Sequence, residues 1–202
     1  MKKVFTLIFG IVLTQFVLSK STKKYDSLAI LIVDRMTDVI GDMESCSFRL
    51  EVARDREDPV VGIVKHITDY QVFMSGPDKM LVRAFGEKGA KDIWYNGENL
   101  AYYFKEEHNY GTFPAPSTTI EMIDSVSKTY DIDFPAADFF YPTFTDDLLA
   151  HSEELKLLGR TSLNGKECFH ILSISKDLTI QIWINAGEYG LPLRFVFINK
   201  SK

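Results

Sequence analysis

Apolar residues recur at helical spacing between Asp26 and Met43 and predict an amphipathic helix. The opposite side of this stretch carries Asp34, Asp38 and Asp42, as expected for a helix face in water. The apolar positions at this spacing are Leu28, Leu31, Ile32, Met36, Val39, Ile40 and Met43. The domain is therefore expected to begin with a helix that buries one side.

From Ser45 the apolar pattern changes to a period of two, which is typical of a strand with one buried face. The charged stretch from Arg54 to Pro59 then reads as a hairpin loop. Asn96 and Gly97 stand between two alternating runs and predict a hairpin with a type I′ turn. The strand-like runs of this half are 60–74, 79–85, 91–95 and 98–105, and together they predict an antiparallel meander.

Pro114 and Pro116 interrupt the meander, and Thr118 with Glu121 forms a capping box that predicts a second helix over 118–129. Residues 131–152 mix acidic and aromatic residues and predict short helical turns packed on the sheet. Strand patterns then resume at 155–163, 167–175, 178–185 and 191–199. The predicted fold is α+β: a curved antiparallel sheet, open as an unclosed β-barrel, with helices packed on its concave face.

The N-terminus has the pattern of an export signal. Two lysines precede an apolar run that ends at Leu18 and Ser19, with small or slender residues before the expected cleavage point. The run contains Thr6, Thr14 and Gln15 and is shorter than the roughly 20 apolar residues of a membrane span. Residues 1–19 are therefore predicted to be a signal peptide cleaved near Ser19, and residues 20–202 a single domain in the periplasm.

The net charge argues against some classes of binding partner, and the composition shows that the chain can form a core. Removing the two lysines of residues 1–19 changes the net charge from -5 to -7. This sign argues against nucleic acid and anionic headgroups as partners. A chain with 46% hydrophobic residues and 13% aromatic residues can bury a full core.

Cys46 and Cys168 are the two cysteines of the sequence, and both fall in strand-like runs. In an exported protein such a pair can form a disulfide, and the alternative is two separate buried thiols. The sequence does not show whether the two strands meet, so both interpretations stay open.

The sequence contains no familiar catalytic or metal-binding motif. The four histidines lack metal-ligand spacing, and no glycine-rich phosphate loop or Gly-x-Ser-x-Gly sequence is present. Cys168 and His170 are a fragment that a nucleophilic site could use, but such a site needs an orienting third group. The chain is therefore predicted not to be an enzyme and to need no cofactor or metal.

Certain turn motifs, in their order and spacing, resemble a known superfamily. Pro77-Asp78-Lys79, Tyr95-Asn96-Gly97 and Gly190-Leu191-Pro192-Leu193-Arg194 follow an opening helix in an exported chain. This arrangement is similar to the LolA-like and LolB-like lipoprotein carriers, and most to a bacterial family of predicted periplasmic proteins of unknown function. The resemblance covers most of residues 26–199 and implies an open barrel, a hydrophobic cavity, no catalytic residue and no metal. It also implies further C-terminal strands, so the domain of residues 20–202 is expected to be short of them.

The leading hypothesis is a periplasmic protein that holds a lipid, an acyl chain or another hydrophobic molecule between sheet and helices. Alternation along the strands selects the candidate lining residues, which are Phe48, Leu50, Met80, Val82, Leu100, Tyr102 and Phe104. Their alternative role is to fill an ordinary core. The rival hypothesis is an interaction module that docks an envelope partner, or dimerises, through the exposed edge of the strand Leu191 to Asn199.

Overall fold

The computed structural model describes residues 24–130, 132 and 134–200. The predicted signal peptide, its cleavage point near Ser19 and the predicted start of the domain lie outside these residues. The helices are α1 (Ser27–Gly41), α2 (Thr119–Tyr130), a 3₁₀ helix (Ala137–Phe140) and α3 (Phe144–His151). The strands are β1 (Lys24–Tyr25), β2 (Ser45–Asp58), β3 (Gly62–Ser75), β4 (Lys79–Gly86), β5 (Gly89–Tyr95), β6 (Asn99–Phe104), β7 (Asn109–Pro114), β8 (Glu154–Leu163), β9 (Lys166–Ile174), β10 (Leu178–Asn185) and β11 (Pro192–Asn199).

The strands form two hydrogen-bonded sheets, each covered by helices. The early sheet has the order β2-β3-β4-β5-β6-β7, and the late sheet has the order β1-β8-β9-β10-β11. The sheets are curved and not closed into a barrel, which confirms the predicted α+β fold with an open sheet. The prediction did not anticipate the division into two sheets, nor the short parallel pair of β1 with β8.

Helix α1 confirms the first predicted helix, but its predicted buried side is partly wrong, since Leu28 and Leu31 are 50% and 62% exposed. Asp26 caps it, since the side chain accepts a hydrogen bond from the backbone N–H of Leu28 at 2.9 Å. The buried side consists of Ala29, Val33, Met36 and Ile40, which pack into one core cluster with β8, β9 and β10. This helix therefore belongs to the late sheet, although it precedes the early one in the chain.

The β2–β3 hairpin is longer than predicted. Arg54 to Asp58 continue β2 as a strand, and the turn lies at residues 59–61, where Asp58 accepts the N–H groups of Val60 and Val61. The prediction of a loop over Arg54 to Pro59 is therefore wrong for all but Pro59. Alternating charges suit a solvated two-stranded ribbon as well as a loop, so the charge pattern does not distinguish the two. The strand β7 was also not predicted.

The two Asn-Gly sequences form different turns. At Asn164 and Gly165 both residues have positive φ, 51° and 76°, as a type I′ turn requires. At the predicted hairpin of Asn96 and Gly97 only the glycine does, at 91°. There the Asn96 side chain accepts the N–H groups of Glu98 and Asn99. The hairpin is confirmed, but its predicted turn type is wrong because this side chain stabilises a three-residue loop instead.

Helix α2 covers the early sheet, while the 3₁₀ helix and α3 extend the cover towards the late sheet. The predicted capping box is present, since Thr118 bonds both the backbone N–H and the carboxylate of Glu121. Met122, Ile123 and Val126 of α2 are buried in a second core cluster with β3 to β6. Among the described residues, no helix is long and apolar enough to cross a membrane.

Candidate ligand-binding site

A cavity of about 650 Å³ lies between the late sheet and its helical cover. Its floor is apolar because Leu178, Ile180 and Ile182 alternate along β10 and so share one face of the sheet. On the neighbouring strand, Phe195 lies opposite Ile182 and Phe197 opposite Ile180. Cross-strand pairs of this kind join the five side chains into a continuous apolar surface.

The wall of the cavity comes from the 3₁₀ helix and α3. Phe139 contacts both Phe144 and Phe195, with ring centroids 5.0 and 5.2 Å apart, and so connects wall to floor. Helix α3 starts at Thr143, whose hydroxyl donates to the Asp147 carboxylate at 2.7 Å. Asp146 and Asp147 lie in its first turn, where their negative charges interact favourably with the positive end of the helix dipole.

The first strand fixes the far end of α3. The Tyr25 hydroxyl lies 2.5 Å from the carbonyl oxygen of Leu149 and 3.0 Å from that of Ser152. These carbonyls belong to the end of the helix, where intrahelical partners run out. The N-terminal strand therefore holds α3 against the late sheet.

A buried pair of serines lines the deep end of the cavity. Ser152 donates its hydroxyl hydrogen to the Leu148 carbonyl, and its oxygen lies 2.5 Å from the Ser173 hydroxyl. Because Ser152 has already used its only hydrogen, Ser173 must be the donor within the pair. Both residues are buried, so this chain of hydrogen bonds orders the junction between α3 and β9.

Charged side chains stand at the solvent side of the cavity. Asp124, Asp138 and Asp147 line it there and are exposed. The Tyr141 hydroxyl donates to the Asp124 carboxylate at 2.6 Å. Burial, this hydrogen bond and the negative charges of Asp124 and Asp138 raise the pKa of Tyr141 well above its usual range. The phenol therefore stays protonated.

The seven residues predicted from sequence all belong to the early sheet, and none lines the large cavity. Phe48, Met80 and Val82 line a second cavity of about 30 Å³ beneath α2, with room for about one water molecule. Leu50 and Tyr102 pack against the core cluster of the early sheet, and Leu100 is a fully buried member of it. Phe104 is 38% exposed. Their role in ligand binding stays a prediction.

The sequence did contain a pattern that could have identified the large cavity. Leu178, Ile180 and Ile182 alternate as regularly as the residues chosen on β2, β4 and β6, and Phe195 and Phe197 repeat the pattern on β11. Alternation selects the buried face of a strand, but whether that face meets another side chain or a cavity depends on the elements that cover it.

The two cysteines are free thiols. Cys46 lies in β2 of the early sheet, and Cys168 lies in β9 of the late sheet. The Cys168 thiol donates to the Thr161 carbonyl at 3.4 Å. Burial raises the pKa of both thiols. The structure therefore has the second of the two predicted arrangements, in which the thiols stay separate.

The histidines and serines around the cavity are occupied by structural hydrogen bonds. His170 stacks on Trp183 and bonds Gln181 at 2.9 Å, while Cys168 bonds Thr161. His151, at the cavity, bonds the Asp147 carbonyl through Nδ1. In the part of the chain that the structure describes, no histidine bonds a serine or cysteine, and no three potential ligands gather to hold a metal ion. The apolar floor and wall of the cavity suit the binding of a hydrophobic molecule.

Comparison with known sequences assigns the chain to a family. The family described as predicted periplasmic protein (DUF2092) matches residues 29–202. The chain belongs to this family. The predicted resemblance and the predicted periplasmic location are thereby confirmed. No curated protein matches this DUF2092 protein.

Solved structures share the fold of the DUF2092 protein. Lipoprotein LppX of Mycobacterium tuberculosis is 11% identical with a TM-score of 0.52, over 87% of this chain and 90% of that one. LprF of Mycobacterium bovis is 12% identical with a TM-score of 0.50, over 87% and 88%. A LolA superfamily protein of Nitrosomonas europaea aligns more loosely, with 12% identity and a TM-score of 0.34 over 85% and 72%. At these identities the likeness to LppX and LprF concerns the fold alone.

Proposed function

We propose that this DUF2092 protein is a non-catalytic binding protein of the periplasm or cell envelope that holds a lipid, an acyl chain or another hydrophobic ligand. The observation that carries the proposal is the cavity of about 650 Å³ with its apolar floor and wall. Small-molecule sites typically measure about 300–1,000 Å³ and are lined mainly by apolar side chains. A flexible apolar chain that replaced water there would gain free energy from burial.

Two further observations support this function. Among the described residues, the hydrogen-bonded histidines contact a carbonyl, an amide, a carboxylate or a phenol, and none bonds a serine or cysteine. The fold is also that of LppX, which is itself described as a lipoprotein. The first observation favours a protein that binds a molecule over one that transforms it, and the second fits a place in the cell envelope.

The direct test is native mass spectrometry of the protein exported to a bacterial periplasm and purified without detergent. We expect an additional mass on the folded protein that solvent extraction releases as a lipid or another apolar molecule. If the protein carries no ligand and also fails to bind the apolar fluorophore N-phenyl-1-naphthylamine, the proposal is wrong.

A matched pair of variants tests which sheet holds the ligand. Phe197→Asp changes the floor of the large cavity, whereas Phe104→Asp changes a residue predicted from sequence in the early sheet. The two phenylalanines are similarly exposed, at 52% and 38%. We expect Phe197→Asp to weaken fluorophore binding about tenfold or more, because an aromatic contact worth about 1.5–3 kcal/mol is replaced by a charge.

The Phe104→Asp variant should bind the fluorophore like the wild type. Circular dichroism of both variants shows whether they remain folded. Loss of binding in Phe104→Asp alone would instead assign the ligand to the early sheet, as the sequence pattern predicted.

A second candidate function is partner binding through β11. This strand ends the late sheet, and Ile198, on the face opposite Phe197, is 44% exposed. An exposed edge with apolar side chains can add a strand from a partner or from a second copy. If the protein dimerises in analytical ultracentrifugation and Ile198→Lys abolishes the dimer without changing fluorophore binding, this function holds. A monomer at all concentrations argues against self-association.

A further inference from the structure

Around the large cavity, the polar side chains have more atoms that can accept a hydrogen bond from a ligand than hydrogens that they can donate to one. Tyr141 donates its hydrogen to Asp124, and Thr143 donates to Asp147. Ser152 donates to the Leu148 carbonyl, and Ser175 donates to the Leu178 carbonyl. The hydroxyl hydrogens are therefore already used within the protein, while carboxylate oxygens retain free lone pairs.

Ser173 extends this pattern to the buried end of the cavity. Its side chain lines the cavity, is 4% exposed, and gives its hydrogen to Ser152. Among the hydrogen bonds of the described residues, none is donated to the Ser173 hydroxyl oxygen. A buried acceptor next to open space is best satisfied by a donor on a ligand or by water.

His151 adds one more acceptor. Its Nδ1 lies 2.7 Å from the Asp147 carbonyl oxygen, which can only accept, so Nδ1 carries the hydrogen. In the neutral imidazole the remaining nitrogen, Nε2, is therefore an acceptor. A ligand head group that only accepts hydrogen bonds, such as a carboxylate, would therefore find no unused hydrogen among the hydroxyl and imidazole groups described above.

The charged side chains that line the cavity have one sign, although the Lys200 ammonium lies beside a lining residue, since it donates to the Ser175 carbonyl at 2.7 Å. Asp124, Asp138 and Asp147 line it, and no lysine or arginine is among the described residues that do so. The carboxylates stand on three different elements: α2, the 3₁₀ helix and α3. Their combined field repels an anionic head and attracts a cationic one.

We propose that the ligand of this cavity is a cationic amphiphile, with an apolar tail on the floor of β10 and β11 and a protonated amine at the Asp124 and Asp147 side. This inference rests on the proposed function and specifies its ligand class. An ammonium group offers three donors and a positive charge, and so complements the Asp124 and Asp147 carboxylates at the solvent side of the cavity. A fatty acid of equal length would offer neither. Ser173, at the buried end, is left to accept from water.

Three probes with the same twelve-carbon tail test the proposal. Dodecylamine, dodecyl maltoside and dodecanoate carry a cationic, a neutral and an anionic head, and each is titrated against bound N-phenyl-1-naphthylamine below its micellar concentration. We expect dodecylamine to compete about tenfold more tightly than dodecanoate at low ionic strength, with dodecyl maltoside between them. The difference should shrink in 0.5 M NaCl because salt screens exposed charges over about 4 Å or more.

Isosteric variants test the assigned carboxylates. Asparagine keeps an oxygen that accepts from Tyr141 or Thr143 but removes the charge. Asp124→Asn and Asp147→Asn should each reduce the preference for dodecylamine about two- to fivefold, as expected of one exposed ion pair. Asp69→Asn, on β3 and outside the cavity, makes the same change in net charge and should have no effect.

The outcomes separate the two proposals. If the protein binds neither the fluorophore nor any of the probes, the proposed function fails. If it binds the fluorophore but none of the probes, the cationic ligand class is wrong while the binding function stands. If the probes bind equally, or if dodecanoate binds most tightly, the cationic ligand class is wrong while the binding function stands. If the preference exists but persists in both asparagine variants, the carboxylates assigned here do not produce it, and the inference is overturned.

Discussion

The two sheets are built alike but packed differently. Apart from the short parallel pairing of β1 with β8, each is an antiparallel meander with helices on one face. The cavity under the early sheet's cover nevertheless measures about 30 Å³ and that of the late sheet about 650 Å³. Helix α2 extends over 12 residues and buries Met122, Ile123 and Val126 in the early core. The late sheet is covered near β10 and β11 by a four-residue 3₁₀ helix and an eight-residue α3.

This difference shows how a meander can enclose either a filled core or an open cavity. A long amphipathic helix presents an unbroken apolar stripe, which fills the surface of a strand face. Short helices with a bend between them contact the sheet through only a few large side chains. The space between those side chains stays open. Helix α1, 15 residues long, likewise fills the core of the late sheet, so the open space lies where the short helices cover β10 and β11. The length of the helix over each part of a sheet therefore decides whether that part keeps open space.

The largest expected effect is on the filled core. Leu100→Ala in β6 removes a fully buried side chain and should lower the free energy of unfolding by about 2–5 kcal/mol. Leu178→Ala, at the floor of the large cavity, should cost clearly less, because that side chain already borders open space and few contacts are lost. Urea unfolding of both variants measures the difference. Equal losses would contradict the contrast between the two sheets.

A smaller effect is expected at the junction of α3 and β9. Ser152→Ala removes an acceptor from the Ser173 hydroxyl and a donor from the Leu148 carbonyl, and should destabilise the protein by about 1–3 kcal/mol. Thermal unfolding monitored by circular dichroism measures the loss. Ser162→Ala on the exposed part of β8 is the matched control, expected within about 0.5 kcal/mol of wild type. A loss no greater than in this control would mean that the serine pair does not stabilise the junction.

The smallest effect concerns pH. The pKa of Tyr141 is raised in the folded protein, mainly by burial and also by its hydrogen bond to Asp124, from an ordinary value of 10.0. Its stabilising contribution is complete below pH 10 and declines above it, because the unfolded chain then loses this proton while the folded protein retains it. Between pH 9 and 11, Tyr141→Phe should therefore lose less stability than the wild type. Parallel curves in urea unfolding would disprove this coupling.

Much of the fold followed from local patterns. The helix capped by Asp26, the capping box of Thr118 and the hairpin at Asn96 and Gly97 are encoded within a few residues, and each was predicted. The division into two sheets was not, because it depends on which strands meet after the helical segment between Thr119 and His151. Local periodicity contains no information about that pairing.

The site was harder to predict than the fold. Alternation correctly marked Leu100 as an inward-facing residue, and it marks Ile180 equally well. The two differ in what lies above them, and that is decided by residues distant in the chain such as Phe139 and Leu148. The acceptor at Ser173 depends likewise on the direction of a hydrogen bond from a different element, which sequence spacing cannot show.

The hydroxyl of Tyr25 has a mechanical consequence for the cavity. It has one hydrogen to donate, shared between the Leu149 and Ser152 carbonyls at the end of α3, and so links this wall to a strand that is itself paired with β8. If α3 moved away from the sheet, this shared hydrogen bond would stretch and the short parallel pair would come under tension. The cavity is therefore expected to accept molecules that fit its existing width rather than to expand around bulky ones. For the proposed ligand, this predicts a size limit that depends on a single phenol in a two-residue strand.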